Sequence, residues 1–320
     1  MTVPLFTGNV IAVIWDFDQT LIPGYQQVPL FREYGIDSVR FWEEVEALRS
    51  FYAKAGLAVS QETLYLNHLL TYVEAGPLAG LNNAKLGDLG GELPFYAGMP
   101  DFLAYAKKEI ESIPEFVNHE ITVEHYIVST GLRQMILGSR AASHIKDVWA
   151  NEFIEAPAPP GYLEQGVQTQ IAAEVEISQI GYFVDNTIKT RAIWEINKGV
   201  NVDDRIGVND HIDHADRRVP LQNMLYVADG PSDIPVFSIL NHNGGRTLGV
   251  YNPDQDSHFR AVKALRDQKR VQHFAEANYE PRSGAHRWIM TTLEEMATNI
   301  VRAHQRALDD RVTRSSKHIN

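Results

Sequence analysis

The feature of this sequence that most restricts its fold is a set of short, uninterrupted apolar runs, each of which stops at a polar side chain. The three clearest runs are followed directly by Asp16, Ser129 and Asp229, and they are Val10–Trp15, Tyr126–Val128 and Met224–Ala228. Apolar runs of this length, rich in β-branched residues, are typical of strands that are buried on both faces of a parallel sheet.

Segments in which apolar residues recur at helical spacing separate these runs, and two weaker strand candidates follow them. The predicted helices are Met99–Ile113, Gly131–Trp149, Ile188–Lys198, Asp233–Asn241, Ser257–Lys269 and Gly284–Arg311, and the weaker strands are Arg246–Tyr251 and Val271–Ala275. The polar stretch 153–182, which contains several prolines, predicts a loop that could carry a hairpin. Alternating strands and helices predict an α/β fold with a Rossmann-like parallel sheet, in which ligands bind outside the carboxyl ends of the strands.

Residues 24–98 interrupt this alternation. Val39–Ala55 and Glu62–Glu74 have helical periodicity, and few patterns in the segment are typical of strands. We interpret residues 24–98 as a helical insertion that lies over the strand ends as a cap, and residues 1–23 together with 99–320 as the α/β catalytic core. The plain alternative is a helical subdomain that has no contact with substrate.

Charge and composition narrow the classes of function. The chain has 29 lysines and arginines against 41 aspartates and glutamates, a formal net charge of −12, so binding to a nucleic-acid backbone is not expected. A small anionic substrate would then need a metal ion or a well-placed lysine. Cysteine is absent, which excludes disulfides, thiolate zinc sites and a cysteine nucleophile and fits a cytoplasmic location. Because no apolar run is long enough to span a bilayer and no signal peptide is recognisable, we expect no membrane association.

Asp16 and Asp18 are the most informative residues, because they follow a buried strand directly. Two carboxylates this close repel each other and raise the pKa of one of them, unless a divalent cation lies beside them. An aspartate can act as a nucleophile through an aspartyl-phosphate, and a second aspartate can act as general acid and base. The alternative is an ordinary acidic turn in which an aspartate or Thr20 caps a helix.

Three further motifs place polar groups at strand ends or helix starts. Asp229 and Asp233 could complete an oxygen-ligand site for Mg²⁺, although an aspartate or Ser232 could simply cap the helix that starts near Asp233. Ser129–Gly131 offers a hydroxyl and backbone N–H groups where anions bind, or a plain serine cap. Lys189 is predicted in a first helical turn, where its charge opposes the helix dipole, which indicates a nearby anion or carboxylate. The alternative for Lys189 is a solvated surface lysine.

In their order along the chain, these motifs resemble those of the haloacid dehalogenase (HAD) superfamily of phosphohydrolases. The family motifs are hhhhDxDxT, a strand that ends in serine or threonine, a lysine, and an acidic pair of the DxxxD type. They are matched here by Asp16, Asp18 and Thr20; by Ser129; by Lys189; and by Asp229 with Asp233. The resemblance spans about residues 8 to 240. The helical insertion resembles the C1-type cap of the phosphoserine phosphatase branch, and the sequence that begins at Ser129 resembles the second motif of that branch.

This resemblance implies Mg²⁺-dependent hydrolysis of a small phosphorylated metabolite, with Asp16 as nucleophile and Asp18 as acid and base. It assigns phosphate binding to Thr20, Ser129, Thr130, Gly131 and Lys189, and Mg²⁺ binding to Asp16, the backbone carbonyl of Asp18, Asp229 and Asp233. A phosphotransferase or mutase of the same fold and a non-catalytic binding protein are the alternatives. The presence of all four motif aspartates argues against a non-catalytic binding protein. The presence of Asp18 argues against a dehalogenase.

Overall fold

The structure is a computed structural model, and it describes residues 6–165 and 175–316 of the chain. The strands are β1 (Val10–Trp15), β2 (Thr122–Leu132), β3 (Asp147–Ile154), β4 (Gln179–Tyr182), β5 (Met224–Ala228), β6 (Arg246–Tyr251) and β7 (His273–Glu276). The helices are α1 (Gln27–Tyr34), α2 (Ser38–Ala53), α3 (Gln61–Glu74), α4 (Asn83–Gly90), α5 (Asp101–Glu111), α6 (Pro114–Asn118), α7 (Arg133–Gly138), α8 (Tyr162–Gln165), α9 (Ile188–Lys198), α10 (Ile234–His242), α11 (Asp256–Asp267) and α12 (Gly284–Ser316). None of the helices in these two ranges combines the length and the apolar character that crossing a membrane requires.

The strands of the described residues form one seven-stranded sheet in the order β4-β3-β2-β1-β5-β6-β7. Strand β4 is antiparallel to β3, and all the other neighbours are parallel, so the predicted α/β class with a parallel sheet is confirmed. Strand β1 lies at the centre, with β2 on one side and β5 on the other. The order of strands therefore reverses direction at β1, and ligands bind at such a switch point in open α/β sheets.

Helices cover both faces of the sheet, which explains why β1 is apolar at every position. Ile11, Val13 and Trp15 point into a core that they share with α5 and α12. The intervening side chains point into a second core, shared with α9 and α10. Because successive side chains of a strand alternate between the two faces, a strand that is buried on both faces needs apolar residues throughout.

The predicted helix Gly131–Trp149 is wrong. Strand β2 continues to Leu132, the helix α7 is short, and β3 has begun by Trp149. The side chains of β3 show why: Val148 and Ala150 belong to one core and Trp149 to the other, a period of two that the helical interpretation overlooked. At the C-terminus, α12 continues beyond Arg311, the predicted end, to Ser316.

The predicted hairpin at 153–182 is present in part. Strands β3 and β4 pair in antiparallel fashion, with Phe153 opposite Ile180. The middle of the predicted loop, residues 166–174, lies outside the described residues. Pairing of β4 with β3 extends the sheet beyond its parallel part on the side of the helical insertion, where α3 contacts β4.

Four helices, α1 to α4, follow β1 and precede α5, so the interrupting segment is helical as predicted. Their apolar side chains form a separate core that includes Phe31, Phe41 and Leu69. Leu132 and Met135, from the end of β2 and from α7, also belong to this core. The insertion therefore packs against the carboxyl end of β2, whereas the division of the chain at residues 24 and 98 stays a prediction.

Helices α4 and α7 approach each other at backbone distance because glycine occupies both contact points. A Cβ atom added to Gly90 would lie 2.1 Å from the carbonyl oxygen of Met135, and one added to Gly138 would lie 1.9 Å from that of Gly87. Both distances are far below van der Waals contact, so neither position has room for a side chain. The insertion is held directly against the helix that follows β2.

His125 is a fully buried titratable residue in β2. The indole N–H of Trp15 donates to its Nδ1 at 3.2 Å, and its Nε2 donates to the carbonyl oxygen of Leu103 at 2.9 Å. These two bonds require a neutral imidazole with the proton on Nε2, because a protonated Nδ1 would point a second donor at Trp15. Burial lowers the pKa of His125 to about 4.

We expect acid to destabilise the fold through His125. Between pH 6.5 and pH 4 the unfolded chain takes up a proton that the folded chain does not, so the free energy of unfolding falls as the pH falls. Between pH 7 and pH 5 the free energy of unfolding of the wild-type protein should fall by about 2 kcal/mol more than that of a His125→Gln variant. Urea unfolding at both pH values measures this difference, and an equal loss in the two proteins would show that His125 is not the group responsible.

Candidate active site

Three aspartates meet at the carboxyl edge of the sheet. Asp16 follows β1, Asp229 follows β5, and Asp233 comes directly before α10. Carboxylate oxygens of the three residues lie within 4.8 Å of one another. Asp16 and Asp233 are buried, and Asp229 is half-buried. The structure therefore brings together the first and the last of the predicted motifs.

Lys189 lies in the same cluster. Its Nζ is 3.2 Å from Oδ1 of Asp16 and 2.7 Å from Oδ1 of Asp233. The side chain of Asp185 accepts the backbone N–H groups of the first turn of α9, which fixes the start of the helix that carries the lysine. Burial opposes the charge of Lys189, but the two carboxylates raise its pKa above the usual value. The expectation that a carboxylate compensates this lysine is confirmed.

Both carboxylate oxygens of Asp233 already accept hydrogen bonds from the protein. The hydroxyl of Tyr226 donates to Oδ1 at 2.6 Å, as does Lys189, and the hydroxyl of Ser232 donates to Oδ2 at 2.8 Å. By contrast, within the described residues Asp16 has only its Oδ1 engaged, by Lys189 and by the backbone N–H of Phe17 at 2.8 Å. Asp233 therefore orients the lysine, and Oδ2 of Asp16 is available for chemistry.

The cluster has more negative charge than its protein neighbours neutralise, since three carboxylates face one lysine. Burial raises the pKa of Asp16 well above its usual value, and repulsion by Asp233 and Asp229 adds to the increase. Burial also raises the pKa of Asp229. A divalent cation bound by carboxylate oxygens would remove this penalty, and an acidic, all-oxygen donor set is what Mg²⁺ prefers. The residues present therefore fit the predicted metal.

His258, from α11, contacts Asp229 and is a residue that sequence analysis missed. Its Nε2 lies 3.3 Å from Oδ2 of Asp229. The backbone N–H of Asn252 donates to its Nδ1 at 3.0 Å, so in the neutral ring Nε2 carries the proton and faces the carboxylate. A single histidine in an amphipathic helix gives no sequence signal of this contact, which depends on the packing of α11 beside β6.

Asp18 lies apart from the three clustered aspartates. Its Oδ1 accepts the backbone N–H of Gln26 at 3.0 Å, and Nε2 of Gln26 lies 3.4 Å from its Oδ2. Burial raises the pKa of Asp18 to about 7, although the Gln26 bonds act in the opposite direction. A carboxyl group with a pKa near neutrality can both donate and accept a proton, which is the property that general acid–base catalysis requires.

Gln26 is a second residue that sequence analysis missed, and it connects Asp18 to the end of β2. Its side chain is fully buried, and its Oε1 accepts the backbone N–H of Leu132 at 2.8 Å. A Cβ atom added to Gly131 would lie 1.5 Å from Nε2 of Gln26, so Gly131 leaves the space that this side chain fills. The loop before α1 brings Gln26 here, and no local pattern marks that contact.

Ser129 and Thr130 belong to the irregular end of β2, so the predicted start of a helix at Gly131, with Ser129 at its N-terminus, is wrong. The strand continues because Leu132 pairs with Asn151 of β3 after a shift in register. The hydroxyl of Ser129 accepts the backbone N–H of Gly131 at 3.0 Å. The hydroxyl of Tyr65, from α3, donates to the carbonyl oxygen of Thr130 at 2.6 Å.

Thr20 is buried at the turn after β1. Its hydroxyl oxygen has no hydrogen-bond partner among residues 6–165 and 175–316. Its backbone carbonyl accepts the hydroxyl of Tyr279 at 2.7 Å, which fixes the turn from the far side. A buried hydroxyl without a protein partner is uncommon, and it is a group that a bound oxyanion or water would satisfy.

A cavity of about 280 Å³ opens beside Asp18, between the strand ends and the helical insertion. Asp18 and Thr130 line it from the sheet side, and Trp42 of α2 and Tyr65 of α3 line it from the insertion. Helices α2 and α3 of the insertion therefore form one wall of this cavity, and the role of residues 24–98 as a cap stays a prediction.

No protein-family model matches the chain. Among solved structures, the chain superposes on a HAD-family hydrolase from Salmonella enterica serovar Typhi with a TM-score of 0.47 and 14% identity, covering 84% of this chain and 67% of that one. It also superposes on a phospho-aspartyl intermediate analogue of phosphoserine phosphatase, with a TM-score of 0.43 and 16% identity, covering 83% of this chain and 93% of that one.

A relative in the sequence comparison is an uncharacterized protein of Borreliella burgdorferi. The two sequences are 40% identical over 289 residues, which cover 88% of this chain and 96% of the relative. Identity of this extent along nearly the whole of both chains is the mark of a shared family. The chain belongs to the same protein family as this Borreliella burgdorferi protein.

Proposed function

We propose that the chain is a phosphatase of the HAD superfamily, which hydrolyses small phosphate monoesters with Mg²⁺ through an aspartyl-phosphate on Asp16. The observation that supports this most strongly is the buried lysine, Lys189, held between Asp16 and Asp233 at the carboxyl ends of the central strands. A buried cation beside a carboxylate with one free oxygen suits the transfer of a dianionic phosphoryl group, because such transfer depends on positioning and charge neutralisation.

Asp16 is the nucleophile in this proposal. Its Oδ1 is held by Lys189 and Phe17, so Oδ2 attacks the phosphorus while the bond to the alcohol oxygen breaks. Asp16, Asp229 and the backbone carbonyl of Asp18 would hold Mg²⁺, with Asp233 close by. When bound, the metal would supply the positive charge that lets a carboxylate approach a phosphate.

Asp18 is the general acid and base. With a pKa of about 7 it can protonate the leaving alcohol oxygen and afterwards take a proton from the water that hydrolyses the acyl phosphate. The backbone N–H of Gln26 orients the carboxyl group. Lys189, Ser129, Thr130, Gly131 and the unpartnered hydroxyl of Thr20 are the proposed contacts of the phosphoryl oxygens, and residues 24–98 are the proposed cap.

An Asp16→Asn substitution should lower phosphate release from p-nitrophenyl phosphate by roughly a thousandfold or more, because an amide is a poor nucleophile. The fold should survive, since the change removes one of three repelling carboxylates and leaves Lys189 paired with Asp233. Phosphate release with Mg²⁺ and the thermal midpoint measure the two effects. Asp204→Asn, at an exposed loop position, is the control and should keep full activity. More than a trace of activity in Asp16→Asn would refute its role as nucleophile.

An Asp18→Asn substitution should stop the reaction after the first chemical step. The nitrophenolate leaving group needs no proton, so Asp16 should still be phosphorylated, but the amide cannot activate water. We expect a burst of one nitrophenol per protein, followed by a stall, with one phosphoryl group detected on the protein by intact mass. Steady turnover at the wild-type rate would place the acid–base role on another residue.

Removal of divalent metal with EDTA should abolish phosphate release, and added Mg²⁺ should restore it. Because Mg²⁺ would bind the folded site only, it should also raise the thermal midpoint, by an amount that increases with its concentration. Asp229→Asn should weaken both effects, since it removes one oxygen ligand from the cluster. Unchanged turnover in EDTA together with a midpoint that does not respond to Mg²⁺ would contradict the metal assignment.

A further inference from the structure

The cavity beside Asp18 is where the alcohol part of a phosphate ester would lie. A general acid must come within hydrogen-bond distance of the leaving oxygen, and Asp18 lines this cavity. The phosphoryl group itself would lie on the side of Asp16 and Lys189. At about 280 Å³ the cavity has ample room for a small alcohol.

The described lining of this cavity is acidic. Glu46 of α2 and Glu62 of α3 contribute to it, and no described lysine, arginine or histidine does. No ion pair within residues 6–165 and 175–316 involves either glutamate. An alcohol that carried a carboxylate or a second phosphate would meet like charges here, whereas a cation would be attracted.

Aromatic side chains form much of the remaining wall. Tyr25, Trp42 and Tyr65 line the cavity. The rings of Trp42 and Tyr65 have centroids 5.8 Å apart and are inclined by 43°, so they form adjoining walls and do not stack face to face. Ring faces of this kind attract ammonium groups through the negative potential of the π-system, most strongly when the site is shielded from water.

Gln27 provides an independent indication of a ligand. The residue is only 4% exposed, it lines the cavity, and its Oε1 has no hydrogen-bond partner within the described ranges. A buried carbonyl oxygen without a donor is costly, so a group that brings an N–H or O–H donor would be bound more favourably. A protonated primary amine brings both the donor and the positive charge.

We infer that this cavity binds an ammonium group, so that the substrate is the phosphate monoester of a small amino alcohol with no further negative charge. The inference rests on the proposed phosphatase function and assigns the part of the substrate that the function leaves open. Glu46 and Glu62 supply the opposing charge, the aromatic rings contact the cation, and Gln27 accepts a hydrogen bond from it.

The first test compares kcat/KM for phosphate esters that differ in charge. Phosphoethanolamine and phosphocholine carry a primary and a quaternary ammonium group, 3,3-dimethylbutyl phosphate has the shape of phosphocholine without its charge, and phosphoserine adds a carboxylate. We expect at least one of the two cationic esters to exceed the neutral ester by tenfold or more, and phosphoserine to be poorer than phosphoethanolamine. The ranking of the two cationic esters shows whether the Gln27 hydrogen bond or the aromatic wall dominates.

The second test removes the charge of the wall. In a Glu46→Gln, Glu62→Gln double variant the ratio of kcat/KM between cationic and neutral esters should fall at least fivefold, mainly through KM for the cationic ester. Glu43→Gln is the matched control, because Glu43 is an exposed glutamate of the same helix that does not line the cavity. This control should keep the wild-type ratio, and thermal midpoints verify that all variants are folded.

The outcomes separate this inference from the proposed function. If p-nitrophenyl phosphate is hydrolysed and the neutral ester is as good as both cationic esters, the ammonium inference is wrong and the phosphatase stands. If no ester, including p-nitrophenyl phosphate, is hydrolysed with Mg²⁺, both fail. If the cationic preference persists unchanged in the double variant, the amine is bound elsewhere and the assignment of this cavity is wrong.

Discussion

The structure of the site depends on the burial of one positive charge. Lys189 contacts two carboxylates, those of Asp16 at the end of β1 and of Asp233 directly before α10. A buried lysine with fewer partners would lose its proton or destabilise the fold, and carboxylates without the lysine would repel each other. The ion pairs therefore fix α9, the end of β1 and the start of α10 relative to one another around the place where a phosphoryl group would bind. Within the described residues they leave Oδ2 of Asp16 without a partner.

The two sides of the proposed substrate meet opposite electrostatic surroundings. On the sheet side, Lys189 and a metal would face the phosphate, whereas on the insertion side Glu46 and Glu62 would face the alcohol. Asp18 lies between them, with its pKa raised to about 7 by burial. The net charge of −12 therefore does not exclude the proposed phosphate binding, because Lys189 and a bound metal would make the strand ends locally positive.

Much of the core could be predicted from the sequence, since buried parallel strands and amphipathic helices have periods that local sequence records. β1, β5, β6 and α9 have the predicted bounds for this reason. Strand β3 was missed because the apolar residues around Trp149 fit a helical period over a short window. Gln26 and His258 could not be found, because each is defined only by a tertiary contact, with Asp18 and Asp229 respectively. The aspartates were found because each follows a recognisable strand.

The glycine contact between α4 and α7 brings one part of the insertion closer to the core backbone than side chains would allow. Helix α4 touches the backbone of α7, which continues directly from Ser129 and Gly131, so a bulkier residue at Gly90 would displace the end of β2. Helices α2 and α3 contact each other, and the contacts of α3 with the sheet include β4 and the hydrogen bond from Tyr65 to Thr130. Their side chains Trp42, Glu46 and Glu62 line the cavity. Relatives of this protein could therefore exchange cavity side chains on α2 and α3, and with them the proposed substrate preference, while the carboxyl edge of the sheet keeps its geometry.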